Sequence, residues 1–291
     1  MLDTYRGDSY DVLLLGGSVL HPSWGTVAEE FEVQLSVAGR RKVRLFNLAV
    51  PAHTSRDSAI KYLALQGARF DLVLYYHGTN DVRPNNVPPK LFRPDYSHYS
   101  WYAGVNAIRR YHGTSLFAVP PTVTFVATRL GQVLKRGDYA PTHAPRENWL
   151  RYGSAIRSVE PFEHNVASLI EEATRRKDRL VLMTFATRAP RDRAGEQVAP
   201  TALGDLRAAF RLWGRVESVV AAVEAHNDVV RRKAREHGDA IFVDQAQLLR
   251  GRAAYFSDAC HLTKVGSATF ARHVVHAVLA AERTRRSEDG S

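Results

Sequence analysis

A single cysteine, Cys260, stands among 291 residues, so no intrachain disulfide can form. A packed core must hold the fold, and the lone thiol is compatible with a reducing compartment. No apolar run approaches the roughly 18 residues that cross a bilayer. The apolar piece Leu116–Leu130 is too short and is broken by Pro120-Pro121. Residues 1–10 carry Asp3, Arg6 and Asp8 and do not read as a secretory leader. As the chain stands a cytoplasmic location is expected, with an extracytoplasmic one open if a leader or anchor has been removed. Phosphate-binding patterns are missing, since neither G-x-x-x-x-G-K nor G-x-G-x-x-G occurs. So are H-E-x-x-H and C-x-x-C, and neither a metal nor another cofactor is expected. Acidic residues are outnumbered, 30 Asp and Glu against 40 Lys and Arg, for a net charge of +10. Much of the basic excess falls on Arg207 to Arg235 and Arg272 to Arg286, interleaved with Glu217, Glu224, Asp228, Glu236 and Glu282. That pattern reads as solvated helix faces first, and as attraction to an anionic substrate or surface second. No helix-turn-helix, zinc knuckle or aromatic RNA-binding motif accompanies it, so no nucleic-acid partner is expected.

What is present is a rhythm of short apolar runs separated by helical patterns. The runs Asp11–Leu15, Val43–Asn47, Asp71–Tyr76, Arg179–Phe185 and Ala240–Asp244 have the length and density of buried parallel strands. Apolar residues at helical spacing predict helices over Val27–Val37, Ser58–Ala68, Phe162–Lys177, Asp205–His237 and Thr263–Glu282. Ser55 is the expected cap of the second of these, with Asp57 in its first turn. The tail Arg283–Ser291 is expected to fray. This alternation predicts a three-layer α/β/α fold around a doubly wound, five-stranded parallel sheet of flavodoxin-like order 2-1-3-4-5. One domain over 1–291 is expected, interrupted after the third strand by an ordered insertion or lid at 83–161. That stretch is rich in proline and aromatics, and helix is predicted within it near Tyr102–Tyr111 and Val123–Leu134.

In an open parallel sheet, ligands bind beyond the carboxyl ends of the strands, where the strand order reverses. Gly16-Gly17-Ser18 follows the first run and Gly78-Thr79-Asn80-Asp81 follows the third. Asp258-Ala259-Cys260-His261 follows the fifth. All three fall on that edge. They supply a hydroxyl, a carboxamide, an imidazole and a carboxylate, the parts of a Ser-His-Asp site.

These blocks resemble the SGNH, or GDSL-type, hydrolase superfamily, over nearly the whole chain apart from the insertion. The resemblance implies an esterase with Ser18 as nucleophile, His261 as base and Asp258 orienting it. It implies an oxyanion hole from the Ser18 N–H, the Asn80 side chain and the backbone N–H of Ala52. Ala52 lies in the block Asn47-Leu48-Ala49-Val50-Pro51-Ala52, where the family places a glycine. Gly17 stands where the family usually has Asp. Alanine resists positive φ, so a left-handed conformation at Ala52 would be strained. The implied substrate is a small-molecule, carbohydrate or lipid ester, with hydrolysis and acyl transfer both within the family's range. A catalytically weak binding protein that keeps the fold is the alternative that Ala52 raises. His21, His53 and His77 each adjoin a block and are candidate pocket residues. Asp81 is read as a brace for its loop, and Cys260 as a small buried side chain.

Overall fold

The computed structural model describes residues 9–39, 41–112, 121–134, 140, 145–188, 208 and 210–289. Five parallel strands form the sheet: β1 (Tyr10–Gly16), β2 (Val43–Asn47), β3 (Leu72–Tyr76), β4 (Leu180–Met183) and β5 (Ile241–Val243). Their order is β2-β1-β3-β4-β5, as the alternation of strand and helix predicts. The register sets Leu14 beside both Asn47 and Leu74, and Gly16 beside Tyr76. β1 is fully buried, and its residues alternate between two cores. Val12 and Leu14 join Phe31 and Leu35 of α1 (Val27–Gly39) and Phe270 and Val274 near the C-terminus. Leu13 and Leu15 join Tyr62 of α2 (Ser55–Ala64) and Phe162, Val166 and Leu169 of α6 (Val159–Arg176). Each face of the sheet is thereby covered by helices.

Between β3 and α6 lie the short α3 (Thr79–Val82) and the longer α4 (Ser100–His112) and α5 (Pro121–Leu134), the last two packed on each other. Val87, Tyr96, Tyr99, Tyr102, Ala140 and Trp149 form a third, separate core here. It is tied to the sheet domain by the Tyr102 hydroxyl, which donates to Asp57 at 2.6 Å. Beyond β4 come α7 (Val216–Glu236), the single-turn α8 (Gln245–Leu248) after β5, and α9 (Lys264–Asp289).

Most element boundaries differ from the sequence reading by a few residues, and three differences have a visible cause. α2 starts at Ser55 and is capped by Thr54, in a reciprocal capping box with Asp57; Ser55 is inside the helix. The helix expected over Asp205–His237 is interrupted: Ala208 and Phe210 are helical, the chain turns over 211–214, and the long helix begins at Val216. Gly214, at φ +143, and the extended Arg215 break the path before it, and Phe210 and Trp213 turn inward. The parts of that expectation at 205–207 and 209 lie outside the described residues. The tail is helical to Asp289, because Glu282 of α9 accepts hydrogen bonds from Tyr10 (3.0 Å) and Arg179 (3.1 Å).

Candidate active site

Right-handed crossovers bring every strand-to-helix loop to one edge of a parallel sheet. Ser18, Ala52, Asn80 and His261 all follow carboxyl ends of strands, the first and third on the adjacent β1 and β3. Ser18 opens a 3₁₀ turn directly after β1. The loop carrying His261 is a tight return. Phe256 bridges Leu262, and the Ser257 N–H donates to the His261 carbonyl at 2.9 Å. Inside it, Asp258 Oδ1 accepts the N–H groups of Cys260 (2.9 Å) and His261 (2.8 Å). Its other oxygen meets His261 Nδ1 at 2.6 Å, and His261 Nε2 meets Ser18 Oγ at 2.7 Å. A carboxylate on Nδ1 places the ring proton there, which leaves Nε2 to accept from the Ser18 hydroxyl.

Burial works to raise the Asp258 pKa, but hydrogen bonds from the His261 ring and from the two N–H groups outweigh it and hold the carboxyl at about 2. It is therefore ionised across the neutral range. Trp24, half-exposed, stacks on His261 with ring centroids 4.4 Å apart and planes 21° apart. Asp258, Cys260 and His261 also offer ligand atoms within 4.8 Å of one another. Their chemistry fits a proton relay better than a metal centre. Both ring nitrogens of His261 are engaged, and burial pushes the Cys260 thiol far above its ordinary range.

Asn80 is buried in α3 and held from both ends. Its Nδ2 donates to the His53 carbonyl at 2.9 Å, and its Oδ1 accepts from Trp213 Nε1 at 3.0 Å. An indole nitrogen only donates, so the carboxamide oxygen must face Trp213. The second Nδ2 hydrogen has no acceptor among the described residues. Nδ2 also lies only 3.0 Å from where a Cβ on Gly17 would sit, so the Ser18 turn abuts it and the family's usual Asp would crowd it. Gly78, just before, has no room for a side chain: a Cβ would stand 2.3 Å from the Phe185 ring.

The block around Ala52 is braced by Asn47, which donates to the Leu20 carbonyl (2.8 Å) and accepts the Ala49 N–H (2.9 Å). Ala52 takes φ +66, the left-handed conformation the sequence reading flagged as strained. Neither its N–H nor that of Ser18 has a partner among the described residues. Asp81 braces this side: fully buried, it accepts the Ser55 N–H and hydroxyl at the start of α2. Burial lifts its pKa to about 7 despite those bonds.

A cavity of about 240 Å³ adjoins these groups, lined by Ala52, Asn80, His53, Trp101, Tyr99 and Tyr102 among others. Of the three candidate pocket histidines, His53 lines it. His77 does not: only 2% exposed, it is hydrogen-bonded to Ser58 at 2.7 Å behind the site. His21 caps the next 3₁₀ turn by accepting the Ser23 N–H and is not part of the cavity wall. Trp24 and Trp213 were invisible to motif reading. Trp213 reaches Asn80 across 133 positions of sequence, and no local pattern marks that pair.

With this geometry, the molecule is similar to the acetylxylan esterase Axe2 of Geobacillus stearothermophilus. The TM-score is 0.51 and the identity 15%, over 92% of this chain and 94% of that one. A GDSL-like lipase of Bacteroides thetaiotaomicron VPI-5482 matches with a TM-score of 0.51 and 14% identity, over 98% of this chain and 93% of that one. The chain has the SGNH, or GDSL-type, hydrolase fold. A third neighbour, the acetyl xylan esterase AlAXEase, gives a TM-score of 0.50 and 12% identity, over 92% and 99% of the two chains. No family model and no curated protein matches the sequence.

Proposed function

We propose that this protein is a serine esterase that works through an acyl-enzyme. The observation that carries the reading is the unbroken relay from Ser18 Oγ through His261 to Asp258, with both contacts below 2.8 Å. Ser18 Oγ attacks the ester carbonyl carbon as its proton passes to His261 Nε2. Asp258, ionised, stabilises the imidazolium. The carbonyl oxygen gains negative charge and is received by the Ser18 and Ala52 N–H groups and the open Nδ2 hydrogen of Asn80. His261 returns its proton to the departing alcohol oxygen, leaving the acyl group on Ser18. Water then gives a proton to His261 and attacks the acyl carbon, releasing the acid and restoring Ser18.

The cavity beside the oxyanion donors favours a short acyl group, since about 240 Å³ is below the roughly 300–1,000 Å³ of drug-sized pockets. The acetyl-ester enzymes among the structural neighbours support the same choice. The test is a series of p-nitrophenyl esters of rising chain length, with Ser18→Ala as control. Acetate and butyrate should be cleaved fastest, and Ser18→Ala should remove turnover while keeping the fold. A fluorophosphonate should label Ser18 alone. A Ser18→Ala protein that keeps most of its activity overturns the assignment.

A further inference from the structure

The α4–α5 hairpin carries a feature that the ester chemistry does not use. Val123, Val126, Leu130, Val133 and Leu134 of α5 are each more than half exposed. With Ala127 they recur at helical spacing and form one stripe, along which lies a shallow hollow walled by Val123, Val126, Ala127 and Leu130. An exposed apolar stripe of this kind is costly in water and marks a contact surface. α5 packs on α4, and no other element makes a comparable contact with it among the described residues.

Charge says what covers the stripe. Between Asp95 and Asp138 the sequence holds no acidic residue, while Arg109, Arg110, Arg129, Lys135 and Arg136 fall there. A second copy would set one acid-free basic stretch against another. An anionic bilayer satisfies both features, taking the apolar stripe at its acyl boundary and attracting this basic stretch of sequence electrostatically. The stripe is far too short to span, and among the described residues no helix is long and apolar enough to cross a membrane. We propose that the hairpin docks the protein on an anionic phospholipid surface, with α5 lying in the interface. The hairpin is rooted at the cavity, because Trp101 and Tyr102 in the first turn of α4 line it. Docking therefore holds the cavity within a hairpin's length of the lipid, roughly 20 Å.

The test is co-sedimentation with vesicles, a readout independent of catalysis. The whole protein should pellet with equimolar phosphatidylglycerol and phosphatidylcholine vesicles. It should bind pure phosphatidylcholine at least ~10-fold more weakly and be released by salt. Val126→Asp with Leu130→Asp should cut the bound fraction ~10-fold or more. Val126→Ser with Leu130→Ser is the milder pair, and Arg109→Glu should cost about fivefold or more. In all of them hydrolysis of soluble p-nitrophenyl acetate should stay unchanged, an arm that rests on the esterase reading and fails separately from the binding arm. Absence of binding to anionic vesicles overturns the proposal. So does equal binding to both lipids, or a concentration-dependent dimer that the Asp pair dissolves without any effect on vesicles.

Discussion

Trp213→Phe tests the least obvious part of the site. The indole N–H meets Asn80 Oδ1 at 3.0 Å, with both residues buried. Phenylalanine keeps most of the packing and deletes that one donor. Asn80 then has a single anchor, the His53 carbonyl, which still favours the productive orientation of the carboxamide. The fault is looser positioning rather than a lost donor. A buried neutral hydrogen bond contributes ~1–2 kcal/mol, and if that is felt wholly in the transition state kcat falls about 5- to 30-fold. KM should barely change, because the oxyanion exists only in the transition state. Asn80→Ala removes the donor itself and should cost ~10²–10³-fold in kcat. The decisive assay is the double-mutant cycle on a short p-nitrophenyl ester: in the Asn80→Ala background, Trp213→Phe should have almost no further effect. If Trp213→Phe keeps full kcat, or slows both backgrounds equally, Trp213 is packing and the argument about the carboxamide fails.

The strain at Ala52 should be measurable as stability. Left-handed alanine costs about 1–2 kcal/mol, partly offset by the extra unfolded-state freedom of glycine, so Ala52→Gly should stabilise by ~0.5–1 kcal/mol and raise Tm by about 2 °C. Because the loop already holds this φ, kcat should stay within about twofold; a lower Tm would refute the reading. His77 should make the fold sensitive to acid. Burial, aided by the charges of His53 and Lys61, pushes its pKa down to about 3, whereas an unfolded imidazole titrates near 6.5. Between those values the unfolded chain binds the extra proton, so this stability is complete above pH ~6.5 and falls by up to ~1.4 kcal/mol per pH unit on acidification. His77→Gln should flatten the decline of the urea midpoint between pH 6.5 and 4. Parallel slopes would contradict the buried, neutral assignment.

The inner strands β1, β3 and β4 were legible in the sequence because a strand covered on both faces must be apolar along nearly its whole length, and only a few short runs here are. β2 matches its predicted bounds at both ends, and the others differ by one to a few residues where pairing ends. Once the strands are placed, the chirality of crossovers brings Ser18, Asn80 and the Asp258–His261 turn to one edge. Their convergence therefore follows from chain order. What pattern could not reveal is which side chain answers which. His77 and His53 adjoin their motifs equally, yet one packs against Ser58 and the other walls the cavity. Thr54, not Ser55, caps α2, because the Ser55 hydroxyl is drawn to Asp81. Trp213 becomes the anchor of Asn80 only because Gly214 turns the chain inward ahead of α7. Periodicity records whether a residue is buried, since burial repeats with the element. It carries no record of the partner, which is chosen by close packing between segments far apart in the chain. The fold and the convergence of the candidate site groups were thus written in the order of the sequence, and the orientation of the groups around them was decided by tertiary contacts.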